Sequence, residues 1–109
     1  MPDPGTGAGF TLACGYSRGG DIPQREGFMR RATARDEARA LADFRVHLGP
    51  ERILPVILAR VVTRLGTLER REIDAGLLER LEDEDLRALE ALYRALNGYE
   101  PAAVEEAAS

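Results

Sequence analysis

The apolar positions of this chain repeat with helical spacing over most of its length. From residue 34 to 48 they fall at Ala34, Ala38, Leu41, Phe44 and Leu48, one face of a helix. Thr33 and Asp36 fit a capping box with Asp in place of the usual Glu, and Glu37 adds negative charge to the first turn. Gly49-Pro50 closes that helix, because glycine takes the left-handed terminal conformation and proline cannot continue the ladder. A second helix is predicted within 50–65, regular after Leu54 because Pro55 breaks anything longer. Ile53, Leu54, Val56, Ile57, Leu58, Val61, Val62 and Leu65 cover more than one of its faces, which makes it the most buried segment, and Gly66 stops it. Thr67 caps a short piece from Leu68 to about Ile73. Asp74 caps another carrying Leu77, Leu78 and Leu81, weakened by Gly76. Asp83 caps a last helix with Leu86, Leu89, Leu92, Tyr93 and Leu96 on one side, ended by Asn97-Gly98 and Pro101.

The first 27 residues break this rhythm. They hold seven of the eleven glycines and three of the six prolines. Met1 to Gly9 has no period and reads as a flexible arm. Phe10 to Tyr16 alternates weakly and fits either a short strand or an extended strap, and Gly19-Gly20-Asp21-Ile22-Pro23 is turn chemistry. Phe10, Tyr16 and Phe28 nevertheless make up half of the six aromatics. An arm so loaded is expected to dock, either on its own helices or on a partner. The expected fold is therefore mainly α: a small bundle of three to five short helices with an extended Gly-rich N-terminal arm. Residues 1–32 form the arm, 33–98 the helical domain and 99–109 an acidic Ala/Glu tail.

Size narrows the functional choices. With 109 residues there is room for one domain. A helical body of about 65 residues buries only roughly 60% of its unfolded surface, so its leucine stripes are expected to be shared with another subunit. At 44% hydrophobic and 31% charged, the composition excludes a wholly disordered tail. No apolar run approaches the roughly 18–20 residues that span a bilayer, and no secretory leader is expected. The lone cysteine, Cys14, excludes an internal disulfide framework and points to a reducing, cytoplasmic setting.

Charge adds an asymmetry. All 15 basic residues are arginine, which excludes Schiff-base and P-loop lysine chemistry. Residues 25–48 and 49–73 each carry +2, whereas 74–109 carry −7. Such a split favours head-to-tail or self-complementary contacts, or an acidic partner on one side. Arg31, Arg35 and Arg39 follow one another at i, i+4, and Arg60 and Arg64 repeat the spacing. Like charges so placed repel mildly, so they suit an acidic protein surface, nucleic-acid phosphates or open solvent.

Other motifs have plainer explanations. Gly5-Thr6-Gly7-Ala8-Gly9 has neither the spacing nor the strand–helix context of a phosphate loop. Asp43 and His47 reach one side of a helix, which fits a surface ion pair better than half a metal site. Glu82 to Asp85 lacks the glycine of a calcium loop and fits helix capping. Cys14 has no base beside it in sequence.

Leu58, Arg64-Leu65-Gly66-Thr67-Leu68, Leu81, Asp85-Leu86, Leu89, Leu92 and Leu96 carry a resemblance over residues 57–103. The stretch resembles the small helical C-terminal domain of unknown function that follows PD-(D/E)XK nuclease-like transposase-associated proteins. It departs from that pattern over Glu69–Leu78, which is longer and more polar. The nuclease part is absent, and its acid-x-lysine motif cannot exist without lysine. The resemblance implies a helical accessory module and no activity.

The expected function is a non-enzymatic interaction protein, a small subunit or adaptor of a larger assembly, with a protein partner or a second copy. Phe10, Leu12, Tyr16 and Phe28 would anchor it through the arm. The alternative is a small phage- or plasmid-type regulator that binds nucleic acid through Arg31, Arg35, Arg39, Arg60 and Arg64. No catalytic residue, cofactor, metal or membrane insertion is expected.

Overall fold

A computed structural model of the chain describes residues 7–98; residues 1–6 and the acidic tail at 99–109 lie outside the described part. Strands β1 (Gly7–Tyr16) and β2 (Gln24–Arg30) come first. Helices α1 (Ala34–Leu41), α2 (Phe44–Leu48) and α3 (Ile53–Val61) follow, then strand β3 (Val62–Leu65), helix α4 (Ala75–Glu79) and helix α5 (Asp83–Leu96). Short 3-10 turns precede α3 at Pro50–Arg52 and α4 at Arg70–Glu72. The strands form one antiparallel sheet in the order β1-β2-β3. The fold is thus mixed α/β, which corrects the mainly α bundle expected from the periodicity.

The described part of the N-terminal segment is a hairpin, and its inward positions explain why it looked unpatterned. On β2 the buried residues are Gly27 and Met29, so one of the two carries no side chain to signal burial. Phe10 stands opposite Gly27, and a Cβ on Gly27 would collide with the Phe10 ring and the Arg64 carbonyl. The glycine is there so that three strands can close up under an aromatic ring.

The pairing is interrupted between Thr11 and Tyr16, where β1 carries extra residues relative to β2. The freed backbone groups find partners elsewhere. Asp85, fully buried in the first turn of α5, accepts N–H bonds from Ala13 at 3.0 Å, Cys14 at 3.2 Å and Gly15 at 2.7 Å. Arg25 Nε donates to the Leu12 carbonyl at 2.8 Å. Asp85 therefore ties the hairpin to α5 in addition to favouring the helix N-terminus.

Two further expectations change. The helix predicted over 33–48 is two helices, because Asp43 caps a new start by accepting the Arg45 N–H at 2.8 Å. The helix predicted up to Gly66 ends at Val61 and passes directly into β3. Val61-Val62-Thr63 is a β-branched run that favours the pleated form once β2 is available to pair with it. Gly66 then turns the chain with φ of +58°. Of the remaining N-terminal signals, Thr33 and Asp74 hold; Glu69, not Thr67, caps a shorter 3-10 turn at Arg70–Glu72, and Glu82, not Asp83, occupies the cap of α5.

The main core joins Leu12 and Met29 of the hairpin to Leu58, Val61, Val62 and Leu65, to Ile73, Leu77, Leu78 and Leu81, and to Leu89 of α5. A smaller cluster, Ala40, Val56, Ile57 and Ala75, fastens α1 and α4 to α3. Among the described residues no helix is long and apolar enough to cross a membrane.

Candidate functional site

The hairpin residues expected to anchor a partner lie largely against the chain's own core. Leu12 is buried within it. Phe10 and Tyr16 are half-buried and pack onto it. Phe28 is half-buried and stands between Gly9 of β1 and Arg64 of β3 in the sheet register. The aromatic loading of the N-terminal segment thus serves intramolecular packing first.

Charged side chains gather at a cleft of about 360 Å³ beside α1. Its walls carry Arg30, Arg39, Arg45, Arg60 and Arg70, its rim Asp43 and Asp74, and its floor Val56, Ala59, Ile73 and Ala75. Five different segments deliver the guanidiniums: the end of β2, α1, α2, the last turn of α3 and the turn before α4.

Asp36 organises this cluster. Its position is set by the α1 cap: Asp36 N–H donates to Thr33 Oγ1 at 3.2 Å, and Thr33 N–H donates back to Asp36 Oδ2 at 2.8 Å. The same buried carboxylate takes a two-pronged contact from Arg30, with Nη1 to Oδ2 at 2.7 Å and Nη2 to Oδ1 at 3.0 Å. Arg60 Nε adds a third charged contact at 3.2 Å. The Arg30 guanidinium beside Asp36 holds its carboxyl well below the usual carboxylate range; burial opposes this, and the Thr33 bonds reinforce it.

Arg70 is fixed differently. Its Nη2 donates to the carbonyls of Ala59 at 2.7 Å and Arg60 at 3.2 Å, and Nη1 donates to Ile73 at 3.1 Å. It caps the open carbonyls at the C-terminus of α3, where positive charge is favoured. Burial, together with the like charges of Arg30 and Arg60, pushes its guanidinium below the ordinary value. Among the described residues neither Arg70 nor Arg39 has a carboxylate partner, while Arg45 meets Asp43 at 3.6 Å.

The structure therefore divides the expected arginine face. Arg39 and Arg60 enter the cleft, with Arg60 already engaged by Asp36. Arg31, Arg35 and Arg64 are exposed and do not line it. Arg30, Arg45 and Arg70 were missed, because their convergence comes from contacts between segments and leaves no spacing to read. Asp43 pairs with Arg45, and among the described residues no ion pair joins it to His47.

A second feature lies across α1. Glu37, Ala40 and Leu41 of α1, Ile53, Leu54 and Ile57 of α3, and Glu90, Tyr93 and Arg94 of α5 line a mostly apolar groove of about 450 Å³. Positions 37, 40 and 41 face away from position 39 on a helix, so groove and cleft occupy opposite sides of α1. Leu41 of this groove is 62% exposed, and Phe44 and Leu48 of α2 are 72% and 66% exposed. Phe44 and Leu48 are four apart on α2 and so share one face of it, with Leu41 at the preceding end of α1.

Among the described residues no three His, Cys, Asp or Glu side chains form a metal-binding group. No protein-family model, curated protein or solved structure matches this chain.

Proposed function

We propose that this chain is a non-enzymatic interaction subunit that pairs with a second copy of itself through the α1–α2 corner. The observation that carries this reading is the group of large exposed apolar side chains at the α1–α2 corner, Leu41, Phe44 and Leu48, of which Leu41 also lines an apolar groove. Large apolar side chains grouped in this way mark contact sites. A two-fold pairing needs anchor and receptor on one patch, so that each copy's Phe44 enters the other's groove. The anchoring role expected of the N-terminal segment passes to this corner, since Leu12 is part of the core.

Sedimentation velocity over a wide concentration range tests it. The wild type should associate reversibly, and Phe44→Glu should remain monomeric with unchanged helical content. The exchange removes two anchors from a symmetric pair, at about 2 kcal/mol or more each, so the dimer should weaken roughly a thousandfold. A wild-type chain that stays monomeric at near-millimolar concentration would defeat the reading.

A further inference from the structure

The arginine cleft is not used by the pairing surface, which lies across α1. Its charges do not balance. Among the described residues Arg30 and Arg60 share Asp36 and Arg45 pairs with Asp43, while Asp74 lines the cleft and Arg39 and Arg70 have no carboxylate partner. Asp74 uses its Oδ1 to accept the Leu77 N–H at 2.9 Å at the start of α4. Repelling guanidiniums held together by carbonyls and one shared carboxylate form a preorganised receptor for negative charge.

We propose that the cleft binds a phosphomonoester dianion, with Arg39, Arg45 and Arg70 as its charged contacts. The arginine fork matches the paired oxygens of phosphate, and three guanidiniums around one opening suit two negative charges. The volume of about 360 Å³ leaves space for a small organic group, and Val56, Ala59, Ile73 and Ala75 give that group an apolar floor. Arg70 is already immobilised by its three carbonyl bonds, so little side-chain freedom is lost when an oxyanion arrives. The crowding that Arg30 and Arg60 impose on Arg70 is relieved by the bound anion.

The same dianion can reach the cleft on a free small molecule or on a phosphoserine, and one titration separates the two. Amide shifts of the labelled full chain are followed with inorganic phosphate, with phenyl phosphate, and with a short peptide in its phosphoserine and unmodified forms, at matched low ionic strength. Saturable shifts at Ala59, Ile73 and Ala75 are expected with phenyl phosphate. A phosphoserine peptide that binds more tightly than phenyl phosphate assigns the source to a protein. The reverse order assigns it to a small molecule. Affinity should rise several-fold between about pH 5 and about pH 7.5, as the phosphate loses its second proton near pH 6. Arg39→Gln combined with Arg45→Gln should weaken binding about tenfold or more, and exposed Arg35→Gln should leave it unchanged. Among the described residues neither exchanged side chain holds a backbone group, and thermal melting of the double variant checks that the fold persists. Equal binding of the unmodified peptide would overturn the proposal. So would an absence of cleft shifts at tens of millimolar phosphate, or a response to duplex DNA alone that spreads over Arg31, Arg35 and Arg64.

Discussion

Asp36 shows how one side chain can serve a helix and a site together. As the third helical residue it closes the Thr33 cap, and the resulting fixed position brings Arg30 and Arg60 onto the same carboxylate. Its folded-state carboxyl is far more acidic than an unfolded Asp near about 3.9. The stability it contributes is thus fully present above about pH 4 and is lost as pH falls toward the folded value. Denaturant midpoints should accordingly hold down to about pH 4 and fall below it, and Asp36→Asn should flatten that fall. At neutral pH, Asp36→Asn should cost about 2–4 kcal/mol, tempered because both arginines are partly hydrated. A variant whose acid sensitivity matches the wild type would show that other carboxyls govern acid unfolding. Cys14 illustrates the opposite electrostatic sign. Desolvation and then the carboxylates of Asp85, Glu84 and Glu82 push its exposed thiol up, against a small pull from Arg25. Thiolate is the reacting form, so Cys14 should react with a disulfide reagent several-fold more slowly than a free thiol at neutral pH. Glu84→Gln should accelerate it; an unchanged rate would remove Glu84 from the account.

Among the elements, the hairpin depends most on a distant partner. Three consecutive N–H groups of β1 leave the ladder and converge on Asp85, which lies 72 positions from Ala13. Asp85→Asn keeps the size but directs an amide toward these donors. The expected cost is about 2–4 kcal/mol, with an unchanged denaturant slope. Amide exchange should accelerate at Leu12–Tyr16 well beyond any change in α3. Uniform acceleration through the whole chain would mean that Asp85 stabilises the core as a unit and does not act mainly on the hairpin. The α3–β3 junction raises a related point. Val61 ends a helix and Val62 begins a strand without a loop between them. Only a β-branched run marks the change, and such residues are tolerated in both states until a neighbouring strand selects one.

Across the whole molecule, α1 separates two surfaces of different character. One side is apolar and framed by Glu37 and Glu90; the other is lined by arginines. This geometry makes self-association and anion binding separable. The neutral exchange Phe44→Ala should weaken pairing and leave the phenyl phosphate affinity within about twofold, since it adds no charge beside Arg45. Arg39→Gln with Arg45→Gln should do the reverse. Strong coupling between the two measurements would indicate that the corner itself moves on binding.

The helices at 34–41, 53–61, 75–79 and 83–96 were legible because helix hydrogen bonds and caps are local; Thr33, Asp36 and Asp74 act within a turn of their own positions. Leu58, Leu77, Leu78 and Leu89 likewise announced the core through their spacing. The sheet was hidden, since Gly27 replaces an inward side chain and the bonds that complete β1 come from Asp85 at the far end of the chain. The cleft was half-visible: Arg39 and Arg60 stood in a periodic row, but Arg30, Arg45 and Arg70 joined them only through chain reversals. Helical pattern and capping follow from neighbours a few bonds away, and so belong to the sequence. Strand pairing and the gathering of charge require distant segments to meet, and that meeting is decided only when the core closes.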